Sequence, residues 1–286
     1  MKFLSTVTAA VCLVADQATA FVNTAPAGTS IASSHLYMST TAEETATTIE
    51  NENPRKIGLA LQLDDGTRKS HSVAESTAFV SGFFKGLSTK QSYSNLMTSL
   101  YFVYEAMEDE FDKTLESTVK TMDYPELRRL KAVELDMGYF YGEGWKNNKN
   151  IQPSPATKKY VSRIRDVAKN NPKLLLAHQY SRYLGDLFGG QKMSGMATKS
   201  LNLEEGKGIA FYQFDDIETS TTTDFITAWY KKLNELDLTE NEKQDIVDEA
   251  NLVFALNIEI FEELEGSPFS AVLKYAWKSF KEKLGM

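Results

Sequence analysis

A single cysteine, Cys12, in 286 residues closes off several kinds of chemistry. Once the N-terminal leader described below is removed, no thiol remains for a disulfide framework, a thiolate metal site or a cysteine nucleophile. Histidine is nearly as scarce, with His35, His71 and His178 only. Positive charge is in deficit: 31 Lys and Arg face 39 Asp and Glu, a net charge of −8, which argues against nucleic acid as the main partner. Long apolar runs are missing too. The one near the N-terminus, from Phe3 to Val14, is too short to span a bilayer, and no transmembrane anchor is expected at the C-terminus. Paired Glu-x-x-His, His-Glu-x-x-His, Walker, Rossmann and Gly-x-Ser-x-Gly patterns are all absent, which removes the commonest signals for di-iron, zinc, nucleotide and serine-hydrolase sites.

What is present begins with an address. Lys2, the apolar run and Ala18-Thr19-Ala20 form a signal peptide over residues 1–20. Residues 21–41 are rich in Ser, Thr and Ala and free of acid, as transit peptides are. The pair resembles the bipartite leader of algae whose plastids have additional envelopes, with Phe21 just after the expected cut, and implies a plastid stromal location. Residues 42–56 read as an acidic linker, 57–266 as one helical domain, and 267–286 as a short amphipathic helix with Lys274, Lys278, Lys281 and Lys283.

Apolar residues make up 42% of the chain and aromatics 11%, enough for a substantial core. The predicted fold is all-α. A helix over Thr67–Phe84 ends at Gly86; Ser88 with Gln91 caps a long one reaching about Phe111. Pro125 opens a helix to Tyr141, closed by Gly142, and another runs near Ala156–Lys169. Asn171-Pro172 starts a long helix with Asn171 as its cap. Thr221–Leu236 follows, and Thr239 with Glu242 caps a last helix to about Glu265. Gly208–Phe214 alone looks strand-like, and one such run makes no sheet.

The most informative stretch is Leu174-Leu-Leu-Ala-His-Gln-Tyr-Ser-Arg-Tyr-Leu-Gly-Asp-Leu-Phe-Gly-Gly-Gln191. Glycine inside a helix costs roughly 1 kcal/mol relative to alanine, so Gly185, Gly189 and Gly190 together need a compensating reason. Gly185 and Gly189 share one face, and Gly190 lies beside them. A face without side chains lets something large and flat press against the backbone, and Asp186 stands at its edge as the one acid. His71 is the second feature. A lone helical histidine is most often structural, but Glu75 lies one turn on and Phe79 two turns on, so one face carries an imidazole, a carboxylate and an aromatic ring. At 100° per residue His178 falls about 20° from Gly185. It is nevertheless read as structural: if His71 ligates iron, with Glu75 fixing its ring, a second protein ligand would close the iron's open position.

These residues resemble the heme oxygenases, whose signature Gly-Asp-x-x-Gly-Gly-Gln matches Gly185–Gln191 on the distal helix. Thr67–Glu75 resembles the family's proximal helix, Ser99–Tyr104 the segment whose second tyrosine supports a distal polar network, and Phe254–Phe261 a late helix beside the heme. The likeness runs from about Leu59 to Glu265. It implies a single-domain helical fold with heme b, both cofactor and substrate, held between the proximal and distal helices. His71 would be the axial iron ligand and Glu75 its orienting partner. Gly185, Gly189 and Gly190 would admit the ring beside Phe254, with Arg68 and Tyr180 near the propionates. Asp186, with Arg182, Tyr104 and Asn257, would hold the water that delivers a proton to the activated oxygen. Molecular oxygen would open the ring to biliverdin, of the IX-alpha isomer, with carbon monoxide and ferrous iron. The alternative is a non-catalytic heme- or bilin-binding relative, and the presence of both His71 and Asp186 favours the enzyme.

The chain departs from the animal members at the positions that pair with the propionates. Where the family carries basic residues, the helix Thr221–Leu236 has Ile226 and Tyr230; Lys231 and Lys232 follow on other faces. A plastid address further implies reduced ferredoxin as the electron donor and a bilin reductase downstream. Ferredoxins are acidic, so Arg68, Lys69, Lys192, Lys231 and Lys232 are the expected docking cations.

Overall fold

Seven turns of helix near the end of the chain organise the rest. The structure, a computed structural model, describes residues 53–218 and 221–265, and the described residues are helical with no strand. In chain order the helices are α1 (Gly58–Glu75), α2 (Ala78–Phe84), α3 (Lys90–Lys113), α4 (Ser117–Thr121), α5 (Leu130–Tyr141), α6 (Pro155–Asn170), α7 (Leu175–Gln179), α8 (Gly185–Leu201), α9 (Thr222–Asn234) and α10 (Glu240–Glu265). A π-helical turn, Tyr180–Leu184, joins α7 to α8. The all-α expectation holds. The leader and the C-terminal segment 267–286 lie outside the described residues.

Helix α10 starts where the Thr239–Glu242 spacing predicted: the Thr239 backbone N–H donates to Glu242 Oε2 at 2.8 Å, and the Glu242 N–H donates back to Thr239 Oγ1 at 3.3 Å. Ile246, Val247, Ala250, Val253, Leu256 and Ile260 recur at helical spacing and are buried against α1, α6 and α7. Helix α1 approaches especially closely. A Cβ at Gly66 would stand 2.4 Å from Val247 Cγ1, so only glycine lets the two helices meet there. Polar stitches sit beside that crossing: Ser70 Oγ donates to Asn251 Oδ1 at 2.5 Å, and Asn251 Nδ2 donates to the Gly66 carbonyl at 3.1 Å. They fix the rotation of α1 one residue before His71.

Several boundaries differ from the sequence expectation, each for a local reason. The stretch Thr67–Phe84 is two helices, because Ser76 and Thr77 turn their hydroxyls onto the carbonyls of Val73 and Ala74, at 2.8 and 2.9 Å, and interrupt the ladder. Thr77 then caps α2. Gly86, at φ 71°, ends it as expected. The box that opens α3 is Thr89 with Ser92, not Ser88 with Gln91. Pro125–Leu127 forms a separate 3-10 turn, and Asn171 makes no side-chain cap because Pro172–Leu174 does the same. The strand-like run folds as a 3-10 turn at Ala210–Tyr212. Residues 54–56, expected at the end of the linker, form a 3-10 turn on the body of the fold, against α1 and α9.

Buried acids hold the connections that no helix covers. Glu108 on α3 accepts the backbone N–H groups of Arg129 and Leu130, at 2.6 and 2.9 Å, and so caps α5 from another helix. Asp136 on α5 accepts from the backbone N–H groups of Ala210 and Phe211, at 2.9 and 2.8 Å, which places the Phe211 ring 5.5 Å from that of Tyr104. Burial pushes the Asp136 carboxyl up to about 6 despite those two bonds. The folded value lies above the unfolded one, so this group's contribution is full below about pH 4 and is lost as pH rises through about 6. A two-unit shift corresponds to roughly 3 kcal/mol. Asp136→Asn should lower stability by about 1–3 kcal/mol at acid pH, where it leaves one backbone N–H unpaired. It should also flatten the decline between pH 4 and 7 relative to wild type, as urea midpoints across that range will show.

Candidate functional site

Two helices flank one stretch of α10, and each offers what the other lacks. On the α1 side stands His71, its side chain 56% exposed although it lies on the helix stitched to α10. Its Nδ1 is 3.5 Å from Glu75 Oε1, longer than a good hydrogen bond but close enough to bias the ring orientation. The ring of Phe254, on α10, meets the imidazole edge-on at 5.6 Å and 74°. No hydrogen bond to either ring nitrogen of His71 is found among the described residues. Phe79, expected on the same face, lies beyond the break at Ser76–Thr77 and is buried, stacked on Phe261 at 5.7 Å.

On the α8 side the backbone is bare. A Cβ at Gly185 or Gly189 would find nothing within 4 Å. No protein packing therefore requires glycine at either place, unlike at Gly66. The surroundings of Gly190 fall outside the described residues. Two glycines that weaken a helix without relieving any contact among the described residues leave that part of the α8 face without side chains.

A closed polar cluster joins α3, the π-helical turn, α8 and α10. Arg182, in the π-helical turn, donates from Nη2 to Asp186 Oδ1 and Oδ2, at 2.9 and 3.1 Å, and from Nη1 to Asn257 Oδ1 at 2.8 Å. Tyr104, fully buried on α3, donates its hydroxyl to Asp186 Oδ2. Asn257 donates to the Val253 carbonyl at 2.8 Å and so is fixed to α10, one turn past Phe254. The four residues named from the sequence, Tyr104, Arg182, Asp186 and Asn257, thus form one network drawn from three helices and the turn. Burial raises the Asp186 carboxyl above the usual range, while Arg182 and the Tyr104 hydroxyl pull it back. The Tyr104 hydroxyl is pushed well up by burial, then by Asp186. Arg182 Nε is buried without a partner among the described residues, the kind of group that ordered water satisfies.

The π-helical turn also decides the fate of His178. Uniform 100° steps put it beside Gly185, but the wider turn rotates the two halves apart. His178 is fully buried, its Nε2 3.1 Å from Glu249 Oε1, and Arg163 donates to the same carboxylate at 2.6 Å. Burial would raise the Glu249 carboxyl, but His178 and Arg163 outweigh it and hold it below the usual range. Tyr160, which the sequence did not single out, buries its hydroxyl where Arg182 and Asp186 are felt electrostatically. Its spacing on α6, with Ala156 and Ile164, reads as plain core.

Arg68 does not face the cleft as a free cation. Its side chain is 70% exposed and paired with Asp65 and, at 3.4 Å, with Asp64. Tyr180 is half-buried at the start of the π-helical turn.

A half-exposed imidazole on α1, a glycine face on α8 open among the described residues, and a largely buried carboxylate at Asp186 suit a flat metal-bearing ring with one open axial position. The comparisons agree. The profile described as heme oxygenase matches residues 57–263. A heme oxygenase of Guillardia theta is 42% identical over 230 residues, 79% of this chain and 95% of the relative. Heme oxygenase 1 of Synechocystis sp. is 43% identical over 217 residues, 76% of this chain and 88% of the relative. The crystal structure of heme oxygenase-1 from Synechocystis in complex with heme aligns with a TM-score of 0.69 at 40% identity, covering 80% of this chain and 100% of that one. Heme oxygenase-2 from the same organism, in complex with heme and NO, gives 0.71 at 35% identity, covering 80% and 93%. The chain belongs to the heme oxygenase family.

Proposed function

We propose that this chain is an active heme oxygenase, which takes heme between α1 and α8 and opens it with oxygen and reductant to biliverdin, carbon monoxide and ferrous iron. The observation that carries this is the presence of an accessible His71 imidazole together with a glycine face that no atom of the described residues fills. Bound heme would supply both the iron at which oxygen is activated and the ring carbon that is oxidised.

The chain's own residues would then do four things. His71 would hold the iron from one side, with Glu75 and Phe254 limiting the rotation of its ring. Gly185 and Gly189 would let the α8 backbone lie close to the ring plane and confine a small ligand sideways towards one edge. Asp186, kept in place by Arg182 and Tyr104, would hold a water at its remaining acceptor position, and that water would pass a proton inward. His178 would stay out of the reaction, since its Nε2 is bound to Glu249. We further infer the IX-alpha isomer, a plastid stromal location, reduced ferredoxin as the donor and a bilin reductase as the consumer. The isomer rests on the family likeness alone, the other three on the composition of residues 1–41 and on the distribution of charge. Among the described residues no helix is long and apolar enough to cross a membrane.

Mixing the purified protein with hemin, ferredoxin, its reductase and NADPH should make the Soret band decay as biliverdin absorbance grows. His71→Ala should abolish that growth; a wild-type rate would remove His71 as the ligand. Asp186→Ala should still bind hemin yet form no biliverdin, whereas normal output would take Asp186 out of the mechanism. Hemin uptake without any turnover in wild type would favour the non-catalytic alternative.

Gly189→Leu separates ligand space from packing. Leucine is the better helix former by about 0.8 kcal/mol, and its Cβ would meet no atom of the described residues, so thermal stability without hemin should rise. Hemin affinity should collapse in the same variant, and an unchanged affinity would place the porphyrin elsewhere.

Lys69, Lys231 and Lys232 are exposed and remain the docking cations of choice, since Arg68 is already paired and the Lys192 side chain is not described. Charge reversal at these lysines should slow ferredoxin-driven turnover, most at low salt, with hemin affinity unchanged. Rates that ignore ionic strength would rule this face out.

A further inference from the structure

A heme carries two carboxylates on one edge, and a pocket that holds it has to meet them with positive charge. Helix α9 does not do so here. Ile226 is apolar, and burial keeps the Tyr230 hydroxyl well above its ordinary value, hence neutral. Arg68 is engaged with Asp64 and Asp65.

One other cation stands at this rim. Arg55 lies in the 3-10 turn Pro54–Lys56, two residues before the start of the family-matched segment 57–263. Asn53 caps the turn, its Oδ1 accepting from the Arg55 N–H at 3.0 Å. Asn234 ties the turn down, donating to the Pro54 carbonyl at 2.7 Å while accepting from the Ala60 N–H at 2.9 Å. Three helices converge on the guanidinium so held. Its Cζ is 5.5 Å from the Phe188 ring on α8 and 5.7 Å from the Tyr230 ring on α9, and Nη2 is 3.1 Å from Asp64 Oδ1 on α1. Phe188 immediately precedes Gly189, and α1 is the helix of His71. The guanidinium therefore sits where α1, α8 and α9 come together.

We propose that Arg55 is the cation that receives a propionate of the bound heme, in place of the basic residues α9 lacks. The proposal rests on the heme-binding function above. Its chemistry suits the task. A guanidinium offers five donors in a planar fork, and among the described residues only the Nη2 bond to Asp64 engages it. Stacking between two rings fixes its plane before a carboxylate arrives. Asp64 keeps a second cation, Arg68 at 3.4 Å, so it is not stranded when Arg55 turns to a ligand.

Equilibrium titration with two porphyrins tests this. Arg55→Gln should weaken hemin binding by about 10- to 100-fold and leave binding of hemin dimethyl ester, whose propionates are uncharged, at the wild-type value. Arg55→Lys should recover part of the loss. Asp64→Asn, which frees the guanidinium, should bind hemin as tightly as wild type or more so. Equal weakening towards both porphyrins, or none towards hemin, would overturn the assignment, as would a loss of hemin affinity in Asp64→Asn. If wild type binds neither porphyrin, it is the heme-binding function itself that fails.

Discussion

One helix cannot present the same face to a packed core and to a flat ligand, and the run Leu175–Leu201 has to do both. The π-helical turn at Tyr180–Leu184 meets that constraint. Before it, Leu175, Leu176, Ala177, His178 and Gln179 are all buried; after it, Gly185 is exposed and Gly189 half-exposed, with open space above both. The turn also puts Arg182 where its guanidinium reaches Asp186 and Asn257 at once. Remove the rotation and the glycines would turn into the protein, or the buried half would turn out. The open face, the polar cluster and the isolation of His178 all follow from this one local change of twist.

Helix α10 is the common reference for both walls. Phe254 touches the His71 ring, Asn257 holds Arg182, Asn251 stitches α1, and Glu249 occupies His178. Four contacts to three different elements, two of them on α1, leave little freedom for one wall to move without the other. Buried charge is tolerated on α10 and beside it on α8 because each carboxylate is matched. Glu249 has Arg163 and His178, and Asp186 has Arg182 and Tyr104. Breaking a pair of this kind strands a charge and costs about 3–5 kcal/mol, which makes the network stiff as well as polar.

Much of this was legible in the sequence, because it is local. The Thr239–Glu242 box, the stop at Gly86, the helix near Ala156–Lys169 and the cost of glycine inside α8 depend on neighbours within a turn or two. Tyr104, Arg182, Asp186 and Asn257 were named through a family likeness, since nothing local says that residues 82 or 75 positions apart will meet. What stayed hidden breaks a uniform period or depends on distant partners. Fixed 100° steps cannot foresee a π-helical turn, so His178 fell beside Gly185 on paper. Ser76 and Thr77 looked like ordinary helix until their hydroxyls took carbonyls from the ladder. Arg55 lies in a segment of linker composition, and its partners at 64, 188 and 230 come from three separate helices.

The polar cluster also restricts what Asp186 can do in the proposed reaction. Oδ1 accepts from Arg182, and Oδ2 accepts from both Arg182 and Tyr104. An ionised carboxylate has about four acceptor positions and no proton of its own to give. With three taken, roughly one is left for a water, which makes Asp186 the group that orients a donor rather than the donor itself. Burial, however, raises its carboxyl, so it is a better base here than a solvated aspartate would be. A base of that kind can take a proton back from the water side once its water has given one inward. Relay of protons, rather than their storage, is therefore what this arrangement of Arg182, Tyr104 and Asp186 is built to perform.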